Sequence, residues 1–377
     1  MPPSTPSNSS PPSAAELDRY ARLLAEAEAI KGVSLSRDAW RRLRKNRVAM
    51  ISLGFLIATV VLAIFTPLLP LQSPREQHLI DRQFEPPTWA RHSLGLADKL
   101  GHDEQYQARL KELFGDLNFF NRGLVRLRLA VFGDCSIGSW AGTDELGRDL
   151  LARLFWGARI SLMVGVVAAF VSLVIGVSYG AISGYLGGRV DNAMMRLVDV
   201  LYSIPFIFVV IYLVTFLDDD EIKQWLADRG INRIAVFFIV IGAIYWLTMA
   251  RVVRGQVISL KHDQFIEAAR TVGASRASII FRHLIPNVLS IVIVYLTLTI
   301  PSVMLFEAFL SFLGLGVAAP DVSWGLLANQ GIQAITPIKT YWWLVVFPGA
   351  ALALTLFALN FLGDGLRDAL DPRMKNR

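Results

Sequence analysis

The sequence predicts an all-α polytopic membrane protein with six transmembrane helices and both termini in the cytoplasm. Three observations carry this expectation. Of the 377 residues, 54% are hydrophobic and only 18% are charged, where a soluble chain would carry about a quarter charged residues. The apolar excess gathers in six runs, at 48–69, 160–182, 198–217, 234–250, 288–310 and 342–362. An α-helix needs about 20 such residues to cross a bilayer, and in lipid a helix satisfies its own backbone polar groups. The runs hold too much Gly and too little period-two alternation for barrel strands. The third observation is where the net charge of +6 sits. Ser36–Arg47, the loops 183–197 and 251–287 and the tail 364–377 together hold 18 Lys and Arg, whereas the loops 218–233 and 311–341 hold 4. The excess of basic residues inside puts the first set in the cytoplasm. The same residues suit contact with anionic membrane lipid, and no nucleic-acid partner is expected.

In chain order, residues 1–36 read as a cytoplasmic tail. Its start, MPPSTPSNSSPPS, is too rich in Pro and Ser to bury a core and is expected to be disordered. Ser13 and Glu16 then fit a capping box, with Leu17, Tyr20 and Leu24 on one face of a short helix. Residues 37–70 hold a basic segment, amphipathic through Trp40 and Leu43, and the first span. That span is long enough to serve as a retained signal anchor. Residues 71–157 form an extracytoplasmic loop, either functional or partly disordered. Within it Tyr106, Leu110, Leu113 and Phe114 have helical spacing. The single cysteine, Cys135, also lies there, so no intrachain disulfide and no thiolate metal site is expected.

The stretch GTDELGRDLLARLFWGARISL (Gly142–Leu162) predicts an amphipathic helix that feeds into the second span. Thr143 is its expected cap, Asp144 and Glu145 suit its first turn, and Asp149 and Arg153 have i,i+4 spacing. Residues 158–363 then hold five spans and a long inner loop, 255–287, before the tail 364–377. Gly176, Gly180, Gly184 and Gly188 recur every four residues, a ladder that lets another helix backbone approach. Pro301 and Pro348 are expected to kink the fifth and sixth spans. Ionisable residues in a membrane are candidates for function. Asp199, near the inner end of its span, has Arg196 beside it as the expected partner. Glu307, near the outer end of the fifth span, suits either core hydrogen bonding or a translocation path. Asp364, Arg367 and Asp368 are expected to hold the C-terminal segment against the core.

The inner loop contains EAARTVGASRASIIFRHLIPN (Glu267–Asn287). It reads as a helix over Asp263–Arg270, a sharp turn at Gly273, a second helix over Ser275–Leu284 capped by Ser275, and a stop at Pro286. Ala268 and Ala269 are small enough to let another surface come close. A DNA-reading helix-turn-helix is excluded because both ends are pinned to membrane spans. Catalysis is excluded too. No G-x-x-x-x-G-K-[ST] and no H-E-x-x-H occurs. GVSYG (Gly176–Gly180) matches G-x-S-x-G, but all five His, at 78, 92, 102, 262 and 283, lie outside the expected spans. LGDG (Leu362–Gly365) lacks the first Gly of an intramembrane aspartyl protease motif.

These residues carry a resemblance. Glu267-Ala268-Ala269, Gly273 and His283-Leu284-Ile285-Pro286 stand at the spacing of the signature of inner-membrane permeases of binding-protein-dependent ABC importers. The chain is most similar to their dipeptide/oligopeptide branch, C-type subunit. Gly142–Leu162, FEAFLSFLGLG (Phe306–Gly316) and NFLGDGLRDALDPR (Asn360–Arg373) each resemble motifs of that branch. Ile285 stands where Leu is usual, His283 where the broad consensus has Ile, and Val322 where Pro is frequent. The resemblance implies a type I ABC importer permease fold in the bacterial cytoplasmic (inner) membrane. It implies an ATPase-coupling loop at Glu267, Ala268, Ala269, Gly273, His283 and Pro286. The implied partners are a second homologous permease, two ATP-binding-cassette ATPase subunits and an extracytoplasmic substrate-binding protein. No cofactor is expected in this chain, with ATP and Mg on the partner subunits. Peptide is the implied cargo, with a nickel chelate or glutathione as the alternative. An exporter half-transporter would usually carry a fused ATPase, and a membrane scaffold would not need the 267–286 spacing.

Overall fold

Apolar runs that close their hydrogen bonds internally make this chain mostly helical. The computed structural model describes residues 35–88, 90–94, 103–217, 219–229, 233–317 and 319–370. The expected capping box at Ser13 and Glu16, the helix bearing Leu17, Tyr20 and Leu24, and residues 371–377 of the tail lie outside them. A short amphipathic helix, α1 (Leu35–Leu43), leads into α2 (Arg47–Ile64), whose N-cap Asn46 accepts a hydrogen bond from the Ala49 amide at 3.1 Å. Among the described residues, five helices are long and apolar enough to cross a membrane: α2, α5 (Leu150–Leu186), α9 (Arg233–Leu260, apolar from Phe238), α11 (Arg276–Phe312) and α13 (Trp342–Leu370).

The third expected span, 198–217, is not one helix. It is a pair, α6 (Gly188–Ser203) and α7 (Phe206–Leu217), bent by 77°. The cause is local: Pro205 lacks a backbone N–H and forces the residue before it out of the helical region. Ile204 is accordingly extended, at φ −79° and ψ 121°. Counting the pair as one span gives six, and a short helix, α8 (Asp220–Asp228), follows it.

The loop expected outside folds around a core of its own. Strands β1 (Ala90–Ser93) and β2 (Cys135–Gly138) pair antiparallel, and α3 (Asp103–Phe114) and α4 (Phe119–Phe132) share a core with Leu94, the residue after β1. Leu94, Tyr106, Leu110, Leu113, Phe114, Leu117 and Val125 form its core. Arg128 is buried in it, donates to the Leu71 carbonyl and lies 5.8 Å from the Phe114 ring centroid. Burial lowers its pKa to about 10.

The helix expected from Thr143 begins later, at Leu150. Asp149 is its N-cap and accepts from the Ala152 amide at 2.7 Å. Residues 143–148 form a turn around Asp144. Its carboxylate accepts from the amides of Leu146 (2.9 Å) and Arg148 (3.0 Å), from Arg148 Nε (2.8 Å) and from Arg153. The expected Asp149–Arg153 pair is therefore absent: Asp149 faces backbone amides, and Arg153 goes to Asp144. Gly147 sits at φ +70°, and a Cβ there would fall 2.2 Å from the His78 carbonyl oxygen.

α5 packs along α9. Ideal Cβ atoms at Gly176, Gly180 and Gly184 would lie 2.6 Å from Met249 Cβ, 2.3 Å from the Ala250 carbonyl and 2.8 Å from the Arg254 carbonyl. Gly188 does not extend the ladder, because α5 ends at Leu186 and Gly188 faces open space. α13 lies against α1, α2, α11 and α12 (Trp324–Gln333). Asp364, Arg367 and Asp368 are exposed, contrary to expectation. Small residues seat this segment instead: Gly363 faces Thr297 of α11, and Gly365 faces Ala49 of α2.

Candidate functional site

The loop expected inside is a helical hairpin with one buried anchor. α10 (Gln264–Thr271) turns over at Gly273, whose φ of +86° is the left-handed region that favours glycine. The Gly273 and Ala274 amides close the turn on the Arg270 carbonyl (2.9 Å) and the Ala269 carbonyl (3.0 Å). Ser275 then caps α11, its hydroxyl accepting from the Ser278 amide at 3.2 Å. Ile266, with no exposed surface, inserts among Val253, Val257, Ile279, Ile280 and Leu284.

The opposite face of the hairpin is open. Glu267 and Ala268 are exposed, and Val272 is 89% exposed. Ala269 is half-buried and packs against the chain's own core, so Ala268 and Val272 rather than Ala269 face outward. An α-helix turns about 100° per residue, which sends adjacent alanines to different faces. His283 is half-buried, its carbonyl accepting from Asn287 Nδ2 at 2.6 Å. Pro286 is exposed and does not stop the helix. Residues Ile279–Leu284 widen to a π-helix ahead of it, and the Ile285 amide pairs with the Ile280 carbonyl. The wider turn changes carbonyl pairing just where the proline ring would clash.

Polar contacts brace this end against its neighbours. Arg254 of α9 grips Asp191 of α6 with two hydrogen bonds of 2.6 Å, and Ser183 of α5 donates to the same carboxylate at 2.5 Å. Lys261 donates to the Gly184 carbonyl at 3.2 Å, and the Arg270 guanidinium lies 5.4 Å from the Tyr185 ring centroid. This network was not anticipated from sequence. The available signal was that Asp191 and Arg254 fall in two loops assigned to the same side.

Further along, a groove of about 470 Å³ opens between α6, α7 and α9, lined by Leu201, Tyr202, Phe206, Tyr245 and Thr248 among others. Asp199 lies nearby and pairs with Arg251 at 2.8 Å rather than with Arg196. Arg251 also stacks over Tyr202, 4.3 Å from its centroid. Within one helix a base placed N-terminal to its acid is the weaker orientation, and α9 presents Arg251 directly. Glu307 is buried, its Oε1 accepting from Ser311 (2.7 Å) and Ser323 (2.8 Å). Asn329 donates to the Ser311 carbonyl at 3.0 Å. Glu307 thus joins α11 to α12 inside the core.

This arrangement has relatives. Residues 176–376 match the family described as the binding-protein-dependent transport system inner membrane component. The chain belongs to this family. Residues 34–87 also match the N-terminal transmembrane domain of oligopeptide transport permease C. The dipeptide transport system permease protein DppC of Bacillus subtilis is 39% identical over 352 residues, 93% of this chain and 90% of the relative. The oligopeptide transport system permease protein OppC of Escherichia coli K12 is 42% identical over 344 residues, 91% of this chain and 93% of the relative. The Haemophilus influenzae OppC is 51% identical over 234 residues, 62% of this chain and 70% of the relative. Among solved structures, an inward-facing crystal form of the MetNI methionine ABC transporter superposes with a TM-score of 0.43 at 20% identity, covering 59% of this chain and 96% of that one. This inner-membrane permease thus has transport permeases, not enzymes, as its relatives.

Proposed function

We propose that this permease forms half of a peptide translocation pathway in an ATP-binding-cassette importer, and that the α10 hairpin couples it to an ATPase. In this reading the chain spans the membrane six times with both termini in the cytoplasm. A second homologous permease faces the groove between α6, α7 and α9. Two ATPase subunits carry ATP and Mg, and an external binding protein delivers the cargo. Peptide cargo is supported by the dipeptide and oligopeptide permeases among the relatives.

The observation that carries the proposal is the two-faced hairpin. Its inner face is locked to the core through Ile266, and its outer face presents Ala268 and Val272. A push on the outer face moves α5, α6 and α9 together, because Arg254, Asp191 and Lys261 tie them at this end. Rocking of this unit exposes the groove alternately to the two sides.

Gly273→Leu tests this. No atom stands within 4 Å of the ideal Cβ, so the change costs backbone strain alone, about 1–2 kcal/mol for a left-handed residue. The turn then re-aims α10 while the spans stay intact. The expected result is a membrane-inserted complex with at least tenfold less cargo-stimulated ATP hydrolysis in lipid vesicles. Wild-type coupled transport would remove the hairpin from the mechanism.

A further inference from the structure

At the opposite end of the bundle from α10, a second cavity of about 290 Å³ lies between the outer unit, the start of α5 and the loop ahead of α12. This is close to the lower end of small-molecule sites, roughly 300 Å³. Charged groups of both signs face it: Arg75, Arg159, Asp116 and Asp321. Trp156 and Phe114 supply aromatic walls.

Among the described residues, Arg75, Arg159 and Asp321 are held in place without an ion-pair partner. The Arg75 guanidinium lies over Gly115, where a Cβ would fall 2.5 Å from Arg75 Cζ, so the absent side chain gives it room. Arg159 stacks on Trp156 with its Cζ 5.1 Å from the ring centroid, and it donates to Asn121 Oδ1 at 3.1 Å. Those contacts fix the guanidinium plane and leave donors of its five N–H groups unused. Asp321 is half-buried. Burial pushes its carboxyl up, and the charge of Arg75 pulls it down. Among the described residues no ion pair within 4 Å reaches Arg75, Arg159 or Asp321, whereas Asp116 is paired with Lys111 at 3.0 Å.

Half-buried charges of opposite sign that leave one another unpaired suit a ligand that carries both signs. We propose that this cavity binds a short peptide with free ends, its carboxylate between Arg75 and Arg159 and its ammonium at Asp321. Guanidinium groups bind carboxylate in parallel, two-bond geometry. Asp116 and Asp321 oppose an anionic lipid headgroup, which would otherwise suit the two arginines. The site rests on the peptide reading of the function and adds a station on the delivery side, ahead of the groove between α6, α7 and α9.

The test uses the complete transporter in phosphatidylcholine nanodiscs without its binding protein. The probes are radiolabelled tri-alanine, its N-acetyl form and its C-terminal amide. Free tri-alanine is expected to bind saturably, and Arg159→Gln and Asp321→Asn each to weaken it at least fivefold. The acetylated form should be indifferent to Asp321→Asn and the amide indifferent to Arg159→Gln. Arg75→Gln replaces any variant that fails to elute as intact complex. Equal weakening of all three probes, or wild-type binding by every variant, overturns the site. So does phosphatidylglycerol retained by the wild type and lost from Arg159→Gln without peptide binding. ATP-driven uptake of tri-alanine with the binding protein separates the two readings. Its absence overturns peptide transport itself, and its presence beside unchanged variant binding overturns the cavity alone.

Discussion

Val272 and Ala269 divide the hairpin at the scale of single residues. Val272→Asp places a carboxylate on an exposed position, where surface changes alter stability by about 0.5 kcal/mol or less. It should leave folding intact and reduce ATPase co-purification at least tenfold. Ala269→Asp acts on the chain's own core instead, where an unpaired polar group costs about 1–3 kcal/mol. It should lower the melting temperature of the permease even without ATPase present. Thermal unfolding in detergent beside co-purification separates the two, and equal behaviour of both variants contradicts the assignment of faces. Sequence spacing located Gly273 and Ser275, because a turn and a cap are local chemistry. It could not say which alanine faces in, since that depends on where α5 and α9 lie. The partners of Asp199 and Arg153 escaped for the same reason: both bonds reach beyond the i,i+4 range that sequence exposes.

Among the elements, the glycine ladder sets how closely α5 and α9 pack. Gly180→Leu places a branched side chain where the Ala250 carbonyl stands 2.3 Å from the first added atom. Backbone cannot retreat as a flexible side chain can, and overpacking of this kind costs about 1–3 kcal/mol or more. The yield of monodisperse complex should fall severalfold, with transport per surviving complex close to wild type. Unchanged yield would mean that the two helices separate freely. The long apolar helices were legible because length and hydropathy alone decide them. The break at Ile204–Pro205 was also present in the sequence, but an apolar run masks a bend. Pro286 misled in the other direction, since the π-turn that accommodates it leaves no mark in composition.

For the whole molecule, charge asymmetry and helix order define two ends. One bears the α10 hairpin, and the other bears the outer unit and α12. The outer unit was the least legible part: its core draws on Leu94, Leu113 and Val125, far apart in sequence and joined by no single period. The central claim is that an ATPase docks on the hairpin end, and site-specific cross-linking tests it most directly. With Cys135→Ser as background, Val272→Cys and Ile338→Cys each carry one reactive thiol, at positions 89% and 92% exposed. A short photoactivatable thiol cross-linker is applied to the complex with both ATPases in native membranes. The account predicts an ATPase adduct from position 272 and none from position 338. An adduct from 338, or none from 272 in a complex that still hydrolyses ATP on cargo delivery, would contradict it.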